Sequence, residues 1–201
     1  MTLYELKPAF QALLRPLVGR LADAGVTANQ VTLAAAIGSL AIGALVWGFW
    51  PARWPFLLIA VWLLIRMALN AVDGMLAREH GQKSRLGAYL NEISDVVSDA
   101  ALYAPFALLP PFGAFWTSVV ILLAALTEFA GVLGQAIVGS RRYDGPLGKS
   151  DRALVFGAIA LWVGFGGPLP GWSFWLMVVL SLLLVLTTVN RVRAGLREGA
   201  A

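Results

Sequence analysis

The sequence predicts an all-α membrane protein: six transmembrane helices preceded by an amino-terminal amphipathic helix at the interface. Three observations predict it. The chain has 201 residues, 59% of them hydrophobic and 13% charged, with a mean hydropathy of +0.78; a soluble domain carries about 25% charged residues. The apolar residues gather into runs near the roughly 20 residues that a helix needs to cross a bilayer. The cations gather in short clusters between those runs. With no cysteine, a disulfide scaffold and any cysteine-ligated zinc or iron–sulfur site are excluded. This composition also excludes a disordered chain. A net charge of +4 can signal nucleic acid, but clusters set between apolar runs follow membrane topology instead. No nucleic-acid partner is expected.

The elements follow in order. Residues 1–30 form an interfacial segment. Within it Leu3, Leu6, Phe10, Leu13, Leu14 and Leu17 recur at helical spacing, with Lys7 and Arg15 between them. That pattern suits an amphipathic helix on the membrane surface or an ordinary packed terminal helix. Pro8 and Pro16 interrupt it. Met1 to Asp23 has no apolar core or cleavage site of the kind a signal peptide needs. A six-helix bundle is expected over 31–192, with spans at 31–50, 56–78, 86–109, 114–139, 152–167 and 172–192. Pro51 to Pro55, Pro110-Pro111-Phe112-Gly113 and Gly166 to Gly171 break the runs. Residues 193–201 form a tail, and the whole chain reads as one domain. Thirteen Lys and Arg fall on one side of this arrangement and only Arg53 on the other. The positive-inside rule then places both termini in the cytoplasm.

The informative residues are polar groups inside the spans. The second span carries Arg66, Asn70 and Asp73, the third Asn91, Glu92, Asp95 and Asp99, and the fourth Glu128. A charge at the centre of a membrane helix costs about 2.5–3.5 kcal/mol, so such residues are usually functional. Arg66 could instead neutralise one acid as a structural pair. Asn70, Asp73 and Ala77 share one helix face, and Gly87, Asn91, Asp95 and Asp99 form a stripe at steps of four. An antiparallel neighbour pair would set Asp73 opposite Asn91 or Asp95, near the loop and open to the cytoplasmic side. Oxygen ligands without His or Cys suit a hard cation, Mg²⁺ or Mn²⁺. His80 reads as a solvated loop residue. Gly74, Ala77 and Gly87 permit close helix packing or leave room for a flat ligand.

Together these residues read Asn70-Ala-Val-Asp73-Gly74-Met-Leu-Ala77-Arg78, eight residues, then Gly87-Ala-Tyr-Leu-Asn91-Glu-Ile-Ser-Asp95. This resembles the signature of the CDP-alcohol phosphotransferase family, D-x-x-D-G-x-x-A-R, about eight residues, G-x-x-x-D-x-x-x-D. Every spacing agrees, and six of eight defining positions agree in identity. Val26 to Thr32 is similar to the family's segment entering the first span. The chain looks closest to a bacterial inner-membrane subgroup, with Asn at the first and third acidic positions.

The resemblance implies transfer of a phosphatidyl group from CDP-diacylglycerol to an alcohol acceptor, with release of CMP. It implies Asp95 as the catalytic base. It implies divalent metal, one or two ions, held by Asp73 and Asp95 with oxygens from Asn70 and Asn91. Asp99, one turn beyond Asp95, is a further candidate ligand. It places the nucleotide against Asn70, Asp73, Gly74, Ala77, Arg78 and Gly87, and implies a homodimer. In the second basic loop, Lys149, Arg152 and Arg141 are candidates for the lipid or acceptor phosphate, Lys149 and Arg152 at a helix entrance where free amides also favour an anion. Plain positive-inside charge accounts for the same cations. Ser150 or Asp151 can cap the fifth span. Glu128 either selects the acceptor or pairs with Arg66. Trp116, Trp172 and Trp175 read as interfacial anchors. Two other functions compete: a silent family member that binds nucleotide or lipid without turnover, and a small transporter.

Overall fold

A computed structural model of the chain describes residues 3–199, with side chains described from residue 8 onward. The expected contributions of Leu3, Leu6 and Lys7 to an amphipathic face lie outside the described side chains. Seven α-helices run in order among the described residues: α1 (Leu3–Asp23), α2 (Ala28–Gly48), α3 (Phe56–Glu79), α4 (Arg85–Tyr103), α5 (Gly113–Val138), α6 (Lys149–Gly164) and α7 (Phe174–Glu198). Short 3₁₀ turns at Ala104–Leu108 and Gly171–Ser173 follow α4 and precede α7.

Among the described residues, four segments are long and apolar enough to cross a membrane: Ala28–Gly48, Phe56–Glu79, Gly113–Val138 and Gly171–Glu198. The expectation of six transmembrane helices is therefore corrected. The expected span 86–109 joins α4 to the 3₁₀ turn. Its 19-residue helix holds Arg85, Glu92, Asp95 and Asp99, leaving no sufficiently apolar stretch. The expected span 152–167 is α6, of 16 residues. At 1.5 Å per residue that is about 24 Å, short of a hydrocarbon core of about 30 Å.

Local signals set the helix ends. Thr27 and Gln30 cap α2 reciprocally: Gln30 N–H donates to Thr27 Oγ1 (3.2 Å) and Thr27 N–H to Gln30 Oε1 (2.9 Å). Ser84 Oγ accepts from Gly87 N–H (2.9 Å) at the start of α4. At α6 it is Asp151, of the two expected caps, that engages the helix start, accepting from Gly148 N–H (2.9 Å).

Helix α2 lies against both α3 and α4, α5 against α7, and α6 against α3. Helices α3 and α4 make little direct backbone contact despite their short connection, so the expected neighbour pair is corrected. Helix α2 approaches α4 too closely for a side chain between them. A Cβ on Gly43 would stand 2.2 Å from the Ala101 carbonyl oxygen. The space left between α3 and α4 is filled by long side chains, which is how the site arises.

The core divides in two. An aromatic cluster binds the half of the bundle away from the basic loops: Tyr103 stacks on Phe156 at 3.9 Å, and Phe106 meets Phe56 and Phe156 edge-on. A smaller cluster of Val18, Val31, Val72, Met75 and Leu76 fastens α1 to α2 and α3. Helix α1 thus packs through Val18 and Leu14 while Phe10, Leu13 and Leu17 stay exposed. Arg15 adds a two-pronged pair to Glu79 at 3.0 and 3.1 Å.

Candidate active site

The polar residues singled out inside the spans run from mid-bundle, at Arg66 and Asp99, toward one end. That end holds the carboxyl-terminal turns of α3, α5 and α7 and the amino-terminal turns of α2, α4 and α6. Asp73, Asp95, Asp99 and Glu128 are each 5–7% exposed. Buried carboxylates need paired charges and hydrogen bonds; Asp95, Asp99 and Glu128 have cations, and Asp73 has a hydroxyl donor.

Asp73 on α3 accepts a hydrogen bond from the Thr32 hydroxyl of α2 at 2.8 Å. Asp95 on α4 receives two cations on the same oxygen, Oδ1: the Lys149 ammonium from the start of α6 and Arg66 Nη2 from α3 at 3.3 Å. Arg66 Nη2 also donates to the Asp95 main-chain carbonyl at 3.1 Å. Its other arm, Nη1, reaches Asp99 Oδ1 at 2.5 Å. Asp99 Oδ2 takes Arg152 Nη2 at 2.9 Å and Nε at 3.2 Å. Both oxygens of Asp99 are therefore committed to guanidinium groups.

Arg152, 1% exposed, links this group to Glu128, donating to Oε1 at 2.9 Å and to Thr127 Oγ1 at 3.2 Å. Glu128 Oε2 accepts from Arg141 Nη2 at 3.1 Å and lies 3.6 Å from Arg191 Nη1. Of the two roles left open for Glu128, pairing with Arg66 is not made; it pairs with Arg141, Arg152 and Arg191. Arg141 also meets Glu92, and Arg191 donates to the Thr127 carbonyl. Nε of both Arg141 and Arg191 is buried without a partner. Burial holds the Arg141 pKa below its ordinary value, and neighbouring Arg191 adds to the lowering. Glu92 and Glu128 stand against these two guanidinium groups, whose Nε atoms are left as donors that a bound phosphate could use.

The remaining expected residues lie on the same helices, α3 and α4. Asn70 and Asn91 are half-buried, as are Gly74, Ala77 and Gly87. Arg78 is exposed and folds its guanidinium over Gly74, 3.0 Å from where a Cβ would stand. Gly87 lets α4 start against Asn29, whose Oδ1 would be 2.7 Å from a Cβ there. Gln82 ties the intervening loop to α2 by accepting from Ala28 N–H (2.7 Å) and donating to the Val26 carbonyl (3.3 Å). His80 is exposed at the end of α3.

Sequence reasoning missed Thr32, Arg191 and the contact between Lys149 and Asp95. Arg191 had a usable signal: it is a cation within an expected span, yet it reads as tail charge when counted by topology. Thr32 had none, because threonine inside an apolar run is common.

Among the described residues, no three His, Cys, Asp or Glu side chains gather in a way that could hold a metal ion. An ion here would draw on two carboxylates, Asp73 and Asp95, with the amide oxygens expected of Asn70 and Asn91. That set is all oxygen and carries two negative charges, which fits one hard divalent cation. A cleft of about 730 Å³ at the opposite end, beside Arg53, Phe112, Trp116 and Phe174, has no acid to work with.

Comparisons agree with this architecture. The family profile for CDP-alcohol phosphatidyltransferase matches residues 25–186. The chain is 50% identical to the inner membrane protein YnbA of Escherichia coli, over 100% of this chain and 99% of that one. It is 30% identical to the phosphatidylinositol phosphate synthase of Mycobacteroides abscessus, over 94% and 87% of the two chains. Among solved structures it resembles the Mycobacterium tuberculosis phosphatidylinositol phosphate synthase with CDP-DAG bound. The TM-score is 0.67 at 21% identity, covering 90% of this chain and 92% of that one. The same enzyme in complex with manganese and citrate gives a TM-score of 0.66 at 20% identity, covering 90% and 88%.

Proposed function

The chain belongs to the CDP-alcohol phosphatidyltransferase family, and from that premise we propose that it transfers the phosphatidyl group of CDP-diacylglycerol to an anionic alcohol and releases CMP. One observation carries the reading. Asp73 and Asp95, from two helices with little direct contact, converge on one buried polar chamber with Lys149 at its edge. The mycobacterial structures with CDP-DAG and with manganese support the donor and the metal.

Asp95 is the base. It accepts the proton of the acceptor hydroxyl as that oxygen bonds to the phosphorus bearing the diacylglycerol. The bond from that phosphorus to the bridging oxygen breaks, and CMP leaves with the electron pair. Asp73 and Asp95, with Asn70 and Asn91, would hold one Mg²⁺ or Mn²⁺. The ion would offset charge developing on the pyrophosphate. The Thr32 hydroxyl fixes the Asp73 carboxylate. Gly74, Ala77, Arg78 and Gly87 line the nucleotide's place. Asp99 acts as an anchor for Arg66 and Arg152, rather than as a metal ligand.

The acceptor meets Arg141 and Arg191, while Arg152, its donors committed to Asp99, Thr127 and Glu128, holds Glu128 in place behind them. The unpartnered Nε groups of Arg141 and Arg191 favour an acceptor that carries a phosphate, as the relatives' name, phosphatidylinositol phosphate synthase, suggests. The chain acts as a single membrane domain in the bacterial inner membrane, with its termini and basic end in the cytoplasm, and pairs as a homodimer. It belongs to a subgroup marked by Asn at the first and third acidic positions. A transporter would need a polar path to the far side, where the aromatic cluster of Phe56, Tyr103, Phe106 and Phe156 stands.

The test is CMP release by purified protein supplied with CDP-diacylglycerol, Mn²⁺ and a panel of phosphorylated and neutral alcohols. Release with a phosphorylated acceptor, abolished by Asp95→Asn, is the expected result. Bound donor without CMP under every acceptor overturns the reading in favour of a silent binder. Release with neutral alcohols alone overturns the anionic-acceptor assignment.

A further inference from the structure

We propose that the Lys149 ammonium is a resident cation of the reaction site, seated between Asp95 and the donor's pyrophosphate, so that each chain binds one divalent ion and has no place for a second. This rests on the phosphatidyl-transfer reading and specifies how its site is charged.

The charge inventory comes first. Asp99 has both oxygens bound to Arg66 and Arg152. Asn70 and Asn91 are neutral. Glu128 is paired with three arginines and Glu92 with Arg141 through one oxygen, so Asp73 and Asp95 are the two carboxylates beside Lys149 that an ion would share. Lys149 and Arg66 already converge on Asp95 Oδ1. Before the donor adds its own pyrophosphate charges, two divalent ions would leave Asp73, Asp95 and the ammonium at a net +3, whereas one ion leaves them at +1.

Geometry singles out Lys149 among the cations. The side chains of Arg66 and Arg152 are 3% and 1% exposed and spent on partners within the protein, whereas Lys149 is 27% exposed. Lys149 is also the first residue of α6. The free amides and positive end of a helix reinforce its charge there. An ammonium has three donors on a flexible stem, so it can keep Asp95 and take a phosphate oxygen together. An ion bridging those groups would need the same space.

The experiment counts Mn²⁺ bound per chain by equilibrium dialysis of the full-length protein in lipid nanodiscs. Wild type is expected to bind one. The Asn70→Asp/Asn91→Asp double variant, which restores two carboxylates, is expected to stay at one ion while Lys149 remains. It should rise to two when Lys149→Met is added. Circular dichroism confirms that each variant is folded before counting. Two ions in wild type overturn the inference, as do two in the double variant with Lys149 intact. One ion in the triple variant also overturns it, because removing the ammonium then frees no place. Failure of the underlying reading looks different: one ion bound, yet no CMP released from CDP-diacylglycerol.

Discussion

Asp99→Asn is the substitution that most sharply separates an anchoring acid from a metal ligand. Asp99 is 5% exposed and receives Arg66 on one oxygen and Arg152, twice, on the other. Asparagine is nearly isosteric, so no cavity forms and the loss is electrostatic. Two buried guanidinium groups lose their shared counter-charge. Removing one partner of a buried ion pair costs about 3–5 kcal/mol. The amide oxygen can still accept one arginine, which favours the lower end. For a chain of this size, about 1 kcal/mol moves Tm by roughly 2–4 °C, so the expected drop is roughly 6–20 °C. The assay is thermal unfolding in detergent, with chelator and then with Mn²⁺. The drop should be equal in both. Adding Arg66→Met to Asp99→Asn removes a cation left with Asp95 as its one carboxylate, and the two changes should be less than additive by about 1 kcal/mol, within the usual coupling range. An unchanged Tm in chelator, with the Mn²⁺ stabilisation lost, would refute the anchor role and make Asp99 a ligand.

Three further outcomes follow from the same geometry. Thr32→Val removes the hydroxyl that holds Asp73. Loss of such a supporting contact should raise the Mn²⁺ dissociation constant about 10–100-fold, and superimposable Mn²⁺ titrations would contradict it. Gly43→Ala places a Cβ against the Ala101 carbonyl and forces α2 and α4 apart, at about 1–3 kcal/mol. The readout is denaturant or thermal unfolding, and a wild-type midpoint would show that the helices already have slack. Arg15→Ala breaks the pair with Glu79, whose two side chains are 59% and 36% exposed. Exposed pairs contribute little, so Tm should not move and α1 should stay docked through Val18.

The sequence carried much of this site because its chemistry is out of place. Acids in apolar runs are visible without a structure, and so is the spacing that sets Asp73 and Asp95 on helix faces. Pairing was harder to see. A contact such as Lys149 with Asp95 joins residues 54 positions apart, and no periodicity reports it. The neighbour relation failed for a related reason. A short loop suggests adjacent helices, yet α2 packs on both α3 and α4 and leaves space between them. The span count failed because hydropathy was read as apolar runs with tolerated acids. Helix α4 spends its inward face on carboxylates and so falls short of a lipid-crossing composition.

The aromatic cluster below the carboxylates has a consequence for traffic. With Tyr103, Phe106 and Phe156 packed across the bundle, the chamber is a cul-de-sac. Whatever enters from the basic end must back out the same way. The nucleotide and the acceptor's polar group share one doorway, while the acyl chains of donor and product stay in the bilayer, and the spent CMP stands in the path of the next cytidine group until it goes. Turnover in such a room is a matter of queueing: the doorway has to be vacated in sequence, and a high concentration of the leaving nucleotide would hold it shut.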